Sequence, residues 1–285
     1  MAEIWSTYGG AFTAGVIFIF AFFVVGLWLV SIAMKDSSIV DIFWGIGCAV
    51  TAGIFYWKSA GAEPRATVTL VLAILWGFRL GLYIGARNWG GEDRRYARLR
   101  QHITDQGRNY TLYSLRAVFA YQGVAMVICT LPLLVAIATP GSAKSGDGQL
   151  GLLGSLAAAV IAVGLIIEAV ADQQMSHFRR TRTVQGSVMD RGLWRYSRHP
   201  NYFGEMLVQW GFFLMACAAT PLGLATIIAP ALLSYLITGP MGANLLERRL
   251  TKKNPDYDDY IRRTSAFVPW PPKPAQGRGK SLAAS

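Results

Sequence analysis

Charge is what this sequence has least of. Only 15% of its 285 residues are Asp, Glu, Lys or Arg, while 53% are hydrophobic. Ordinary soluble domains do not reach that balance, so the chain reads as a membrane protein. Cysteine is scarce too. Cys48, Cys129 and Cys217 each stand alone in an apolar run with no CxxC spacing, which leaves them as core fillers and gives no disulfide framework. The three histidines, His102, His177 and His199, are far apart, and no HxxxH or mixed Cys/His cluster can be drawn, so no metal is expected. Acidic residues number 16 against 27 basic ones, for a formal charge of +11. In a membrane chain such an excess gathers at the cytoplasmic edges, so no nucleic-acid partner is expected.

What the sequence does have is long apolar runs. A helix needs roughly 20 such residues to cross a hydrocarbon core. Runs of that kind lie at 11–33, 39–57, 66–86, 113–138, 150–172, 202–219 and 221–246, which predicts an all-α, polytopic protein of about seven transmembrane helices. The first run follows an acidic Glu3, without a basic leader or a small-residue cleavage site, and reads as retained. Basic residues concentrate in 87–116, 178–198 and 248–280, whereas 139–149 and the bend near Thr220 are almost neutral. With seven crossings this places the N-terminus outside and the C-terminus in the cytoplasm.

The expected organisation is one helical domain over 1–270 and a disordered cytoplasmic tail over 271–285, rich in Pro, Gly, Ser and Lys. Gly45 and Gly47 hint at a dinucleotide fingerprint, but no strand precedes them, and small residues at a helix contact explain them better.

Ionisable groups at membrane depth are costly and mark functional positions by default. Four sets qualify. Glu168, Asp172 and Arg179 in EAVADQQMSHFRR are spaced to share one helix face, either as a salt-bridged helix end or as the lining of a ligand groove. In GLWRYSRHPNYFGE, the residues Arg195, Tyr196, Arg198, His199, Asn201 and Tyr202 crowd a helix start at Pro200, a natural place for an anion. Asn201, Glu205 and Gln209 then follow at four-residue steps. Interfacial snorkelling would explain the Arg and Tyr residues but not Glu205. Asp41, near Trp44, is either an acid at a helix start or a carboxylic acid kept protonated by apolar surroundings. Trp76, Arg79 and Tyr83 share a face of the third helix, and GGEDRRY follows, where Arg94 and Arg95 could close over phosphates or simply form a positive-inside loop. Together these sets describe a cavity that takes a phosphate-rich ligand from the cytoplasm and an apolar substrate from the lipid.

The runs SRHPNYFGE, EAVADQQMSHFRR and ERRLTKKNPDYDDYIRRTSAFVPW resemble the C-terminal domain of the steroid 5α-reductase family. WGFRL at 76–80 and EDRRY at 92–96 look like its bacterial branch, and the likeness runs from about Asp41 to Trp270. The resemblance implies a seven-helix membrane enzyme that uses NADPH to reduce a carbon–carbon double bond conjugated to a ketone, as in 3-oxo-Δ4-steroids. It implies cofactor contacts at Glu168, Asp172, Arg179, Tyr196, Asn201 and Glu205, more loosely at Tyr83 and Arg94, with Arg198 and His199 in the wider motif. Glu247 stands where the mammalian enzymes carry a histidine. Those enzymes hold the substrate ketone with a glutamate on the second helix and a tyrosine on the third. Asp41 falls near the glutamate position and Trp76 at the tyrosine position, with Tyr56, Tyr121 or a water as the substitute donor.

The implied mechanism is hydride transfer to the β-carbon of an enone, with a hydrogen bond from Asp41 stabilising the developing enolate. Arg179, Arg94 and Arg95 are the candidates for preferring NADPH over NADH. Two rivals stand beside this reading. One is an S-adenosylmethionine-dependent membrane methyltransferase of the isoprenylcysteine or phospholipid type, which shares an RHPxY pattern. The other is a lipid-binding membrane protein without catalysis.

Overall fold

In the computed structural model, residues 2–59, 63–88, 90–141, 150–183, 187–239, 242–254 and 256–274 are described. Among them the secondary structure is helical with no strand, and a single isolated bridge joins Ser197 to Ser265. Seven stretches are long and apolar enough to cross a membrane. The chain is therefore an all-helical, multi-pass membrane protein. Helices α1 (Ala2–Met34), α2 (Ile39–Lys58) and α3 (Pro64–Arg87) are followed by α4 (Arg94–Asp105), and then by α5 (Tyr110–Ala138), α6 (Gly151–Thr181) and α7 (Pro200–Ala219). The seventh stretch, Pro221–Lys252, passes over residues 240 and 241, which lie outside those described. It contains a 3₁₀ turn at Pro221–Ile227, helix α8 (Ile228–Thr238) and most of α9 (Ala243–Lys253). Helix α10 (Asp256–Arg263) closes the series.

The helices overrun the apolar runs that predict them. Helix α6 continues to Thr181, because DQQMSHFRR contains no Gly or Pro to stop it once it leaves the apolar zone. The basic stretch 87–116, read as a loop, holds the amphipathic helix α4, whose N-cap Asp93 accepts a hydrogen bond from the Arg95 backbone N–H at 2.8 Å.

By contacts the chain divides into two compact units, Met1–Leu165 with Met206–Ser234, and Ile166–Glu205 with Tyr235–Ser285. In the first unit α2 and α3 approach backbone to backbone. A Cβ added to Gly45 would lie 2.7 Å from the Gly77 carbonyl oxygen, and one on Gly81 would lie 2.8 Å from that of Ile42. With little hydrophobic drive between helices in lipid, such small-residue seams supply the van der Waals contact that holds them. Gly45 thus serves helix packing, and Gly47 does the same against Met126. Trp76 is fully buried, edge-on to Phe212 with ring centroids 6.2 Å apart. Arg65, in the first turn of α3, donates to the carbonyls of Ala136 at 3.0 Å and Thr139 at 2.6 Å, which ties α3 to the end of α5. Large apolar side chains such as Trp57, Leu82, Leu29 and Phe22 are exposed, as lipid-facing surface requires.

The second unit is held by backbone and side-chain bonds around the segment before α7. Trp194 Nε1 donates to the Ala171 carbonyl at 3.1 Å, and the Leu193 N–H donates to Gln174 Oε1 at 3.0 Å. Gly192 has a positive φ of 57° and lies against Gln174, so any side chain there would be strained and would collide. The C-terminal strap is tied back onto this segment. The Arg198 N–H bonds the Ser265 carbonyl at 2.8 Å, that of Trp270 bonds Tyr196 at 3.0 Å, and that of Lys273 bonds Arg263 at 2.9 Å. Of the expected tail 271–285, residues 275–285 lie outside those described.

Candidate active site

The second unit contains three buried carboxylates. Glu168 and Asp172 stand one turn apart on α6 and are 2% and 4% exposed. Asn201 and Glu205 repeat the spacing on α7, with Glu205 7% exposed. Asn201 Nδ2 donates to Asp172 Oδ1 at 3.4 Å, which sets the register of the two helix segments. Taking a carboxylate out of water costs several kcal/mol, roughly, before any partner repays it. Each of the three therefore needs polar company at that depth. Acids and an amide accept hydrogen bonds from hydroxyls and amides, the groups that a ribose and a carboxamide present. Arg179, seven residues beyond Asp172, is exposed at the end of α6.

Arg198 and His199 are engaged with the protein itself. Arg198 Nε and Nη2 donate to the two oxygens of Glu247 at 2.7 and 3.2 Å, and Nη1 donates to the carbonyls of Ile261 at 3.0 Å and Thr264 at 2.6 Å. The planar guanidinium matches all four acceptors at once. His199 is 3% exposed, with Nε2 2.8 Å from Glu247 Oε1. Its ring is stacked between Tyr202 and Phe267, both at 5.4 Å. Arg198, His199 and Glu247, read as cofactor groups, are bonded to one another within the protein. They form a clamp joining the start of α7 to α9, α10 and the strap, because Glu247 reaches both residues from α9. Burial, reinforced by the Glu247 charge, pushes the neighbouring Tyr257 hydroxyl up to about 12, so it stays protonated. Tyr196 is 43% exposed and contributes its backbone carbonyl to Trp270.

In the first unit, Asp41 begins α2 facing α4. Its Oδ2 pairs with Arg95 Nη2 at 2.9 Å and its Oδ1 accepts from the Tyr96 hydroxyl at 2.7 Å. Gln122 Nε2 in turn donates to the Tyr96 oxygen at 3.2 Å. Asp41, read as an acid in apolar surroundings, is met there by a guanidinium and a phenol that α4 brings against it as it folds back. Stitching around residues 35–38 fixes that fold-back: Ser37 N–H donates to Glu92 at 2.8 Å, Asp93 N–H to Ser38 Oγ at 3.1 Å, and Arg100 to Glu92 at 2.8 Å. Burial, the Asp41 charge and the hydrogen bond to Asp41 together push the Tyr96 hydroxyl well above its usual range. Burial would lower the Arg95 guanidinium, but Asp93 and Asp41 outweigh it and hold it above its ordinary value. Burial raises the Asp93 carboxyl, while its bonds from Arg95 and the charges of Arg95 and Arg87 pull it below the usual carboxylate range.

Arg95 is thus paired with Asp41 and Asp93, while Arg94 is exposed. Trp76 packs in the core against Phe212. Tyr121 is 54% exposed, and the residue that reaches the Asp41 group is its neighbour Gln122, one 100° helix step round. Tyr56 pairs with Thr67 at 3.1 Å, and Tyr83 is half-buried on α3. Sequence reading missed Tyr96 and Gln122. A lone amide inside an apolar run, and the tyrosine that ends EDRRY, are the signals that could have found them.

A protein of Schizosaccharomyces pombe, described as uncharacterized protein C594.04c, is 27% identical over 281 residues, covering 87% of this chain and 77% of that protein. No solved structure matches. The likeness to the steroid 5α-reductases is corrected by the family that does match, from residue 27 to residue 264: the chain belongs to DUF1295, a family described as of unknown function.

Proposed function

We propose that the protein is an NADPH-dependent membrane reductase of a carbon–carbon double bond conjugated to a ketone, acting on a lipophilic substrate drawn from the bilayer. The observation that carries this reading is the buried set of Glu168, Asp172, Asn201 and Glu205 on two helix segments. Its acceptors fit ribose hydroxyls and a nicotinamide carboxamide. Exposed Arg179, on the same unit, supplies charge for phosphates. The same reading puts the N-terminus outside and the C-terminus in the cytoplasm, on the side of the basic segments.

When bound, NADPH supplies the hydride. The protein orients the reactants and keeps water away, which together contribute roughly 7–11 kcal/mol to such a step. Tyr96 is the better proton donor than Asp41, since its hydroxyl stays protonated and is held between Asp41 and Gln122. A carbonyl oxygen within reach of that hydroxyl would accept its hydrogen in place of Asp41 Oδ1, while Asp41 remains paired with Arg95.

A methyltransferase using S-adenosylmethionine is the second reading, because buried carboxylates also suit an ammonium and a sulfonium. Titrating the detergent-purified full chain with NADPH and S-adenosylmethionine side by side separates the two. Saturable NADPH binding, about tenfold weaker in Asn201→Ala, with NADPH oxidised when a lipophilic enone is added, supports the reductase. Binding of S-adenosylmethionine alone would sink it.

A further inference from the structure

The second unit carries a cleft that neither the buried carboxylates nor the Arg198 clamp occupies. It encloses about 450 Å³ between the 3₁₀ turn Gly192–Arg195 and the strap, and is lined by Asp190, Arg191, Gly192, Arg195, Arg263 and residues 272–274. That volume falls within the range of ligand pockets, about 300–1,000 Å³.

Four of the lining side chains are cationic. Arg263 is taken, paired with Asp190 at 3.5 Å and Asp259 at 2.6 Å. Arg191, Arg195 and Lys273 form no ion pair among the described residues and are exposed, so their charges face the cleft unneutralised. The walls are fixed by Leu193 and Trp194 on α6 and by the Lys273 N–H on Arg263. This is a built concavity rather than a run of loose basic side chains.

The residues that adjoin its lining in the chain are of another character. Tyr196, Val268 and Trp270 are 43%, 61% and 70% exposed, and the Trp270 N–H is bonded to the Tyr196 carbonyl. Exposed tryptophan and tyrosine beside a basic cluster are the pattern of a membrane–water interface, where amphipathic rings lie among lipid headgroups. A soluble anion would use the cations and have no need of exposed rings beside them in the chain; a lipid uses both.

We propose that this cleft binds the phosphate headgroup of an anionic membrane lipid, with Arg191, Arg195 and Lys273 on the phosphate and the Trp270 and Tyr196 rings beside the glycerol and upper acyl chain. The proposal is independent of the reductase reading. It places the strap at the headgroup layer.

The test uses the full chain in detergent micelles, measuring lipid binding by native mass spectrometry with phosphatidylglycerol, phosphatidylcholine, inorganic pyrophosphate and ADP as probes. Phosphatidylglycerol should bind in preference to phosphatidylcholine. The double variant Arg195→Gln, Lys273→Gln should weaken that binding about 25-fold, from about fivefold for each basic group removed near a membrane surface. Both side chains are exposed, so the fold tolerates the change, and Arg182→Gln, exposed at the end of α6, serves as a charge control. Equal loss in the Arg182 control, or no loss in the double variant, would overturn the proposal. So would pyrophosphate or ADP binding as tightly as the lipid and depending on the same two residues, since the site would then serve a soluble phosphate.

Discussion

Removing the Arg198 guanidinium tests whether the Glu247 clamp holds the second unit together. The Arg198 and Glu247 side chains are 11% and 14% exposed, so the pair is largely desolvated. Breaking a buried pair by deleting one partner leaves the other charge uncompensated and costs about 3–5 kcal/mol, well above the 0–1 kcal/mol, roughly, of a surface pair. Arg198→Ala also strips donors from the Ile261 and Thr264 carbonyls, which a Glu247→Ala change leaves satisfied. Arg198→Ala should therefore be the more damaging single variant. Arg198→Lys should recover only part of the loss, because one ammonium cannot reach four acceptors in the plane of a fork. The double variant should fall well short of the sum of the singles, since each has already broken the same contact. The assay is hydrogen exchange of the amides in 243–274, compared with α2 and α3 as an internal reference. Additive effects across the cycle, or Arg198→Lys behaving as wild type, would show that the clamp does not act as a unit.

Three further outcomes follow from the geometry. Tyr96→Phe should lower turnover of an enone by about 10²–10³ while leaving NADPH affinity within about threefold, because it removes one donor at the developing charge; parallel loss of both would refute the donor role. Gly45→Leu should separate α2 from α3, where an added Cβ already meets the Gly77 carbonyl at 2.7 Å, and the thermal midpoint in detergent should drop, whereas Gly53→Ala, at a glycine with open space, should not change it. Asp93 has a folded pKa below its unfolded value. Its contribution is complete above the unfolded pKa, near 3.9, and is lost as pH falls through the folded one. Protease access to the α4 segment should therefore rise on acidification below about pH 4, and Asp93→Asn should be accessible at neutral pH; an unchanged acid profile in the variant would remove Asp93 from the account.

The transmembrane helices were legible because the bilayer demands a length and a composition that the apolar runs display directly. The positions of Glu168, Asp172 and Glu205 were legible for the same reason, since a carboxylate in such a run stands out against it. What a basic residue is bonded to was not legible. Arg95, Arg94 and Arg198 look alike in sequence, and their separate fates depend on partners 54 residues away for Arg95 and 49 away for Arg198, contacts that no local pattern encodes. Tyr121 and Gln122 show the finer limit. The run containing them was placed correctly, yet its rotation decides which of two neighbours meets Tyr96, and a π-helical segment at Leu115–Ala120 resets that rotation just upstream.

The stretch SRHPNYFGE divides between two kinds of work. Ser197 takes the Phe267 carbonyl at 2.7 Å, Arg198 takes Glu247 and two carbonyls, and His199 fills the stack between Tyr202 and Phe267. These residues are spent on structure before the helix begins. Pro200 then starts α7, and the residues that follow on its face, Asn201 and Glu205, are those the proposed function assigns to the cofactor. The order has a physical cause. A helix start has free N–H groups and no regular neighbours, so it must be tied down by side chains. Once the helix is under way its backbone is satisfied, and a carboxylate such as Glu205 can be carried to buried depth only because the turn before it has been fixed. Loss of the clamp should thus reach Asn201 and its 3.4 Å bond to Asp172 even though Arg198 touches neither. NADPH affinity falling in Glu247→Ala together with exchange protection at 200–205 would support that dependence. Affinity lost with protection intact would instead mean that Glu247 meets the cofactor itself.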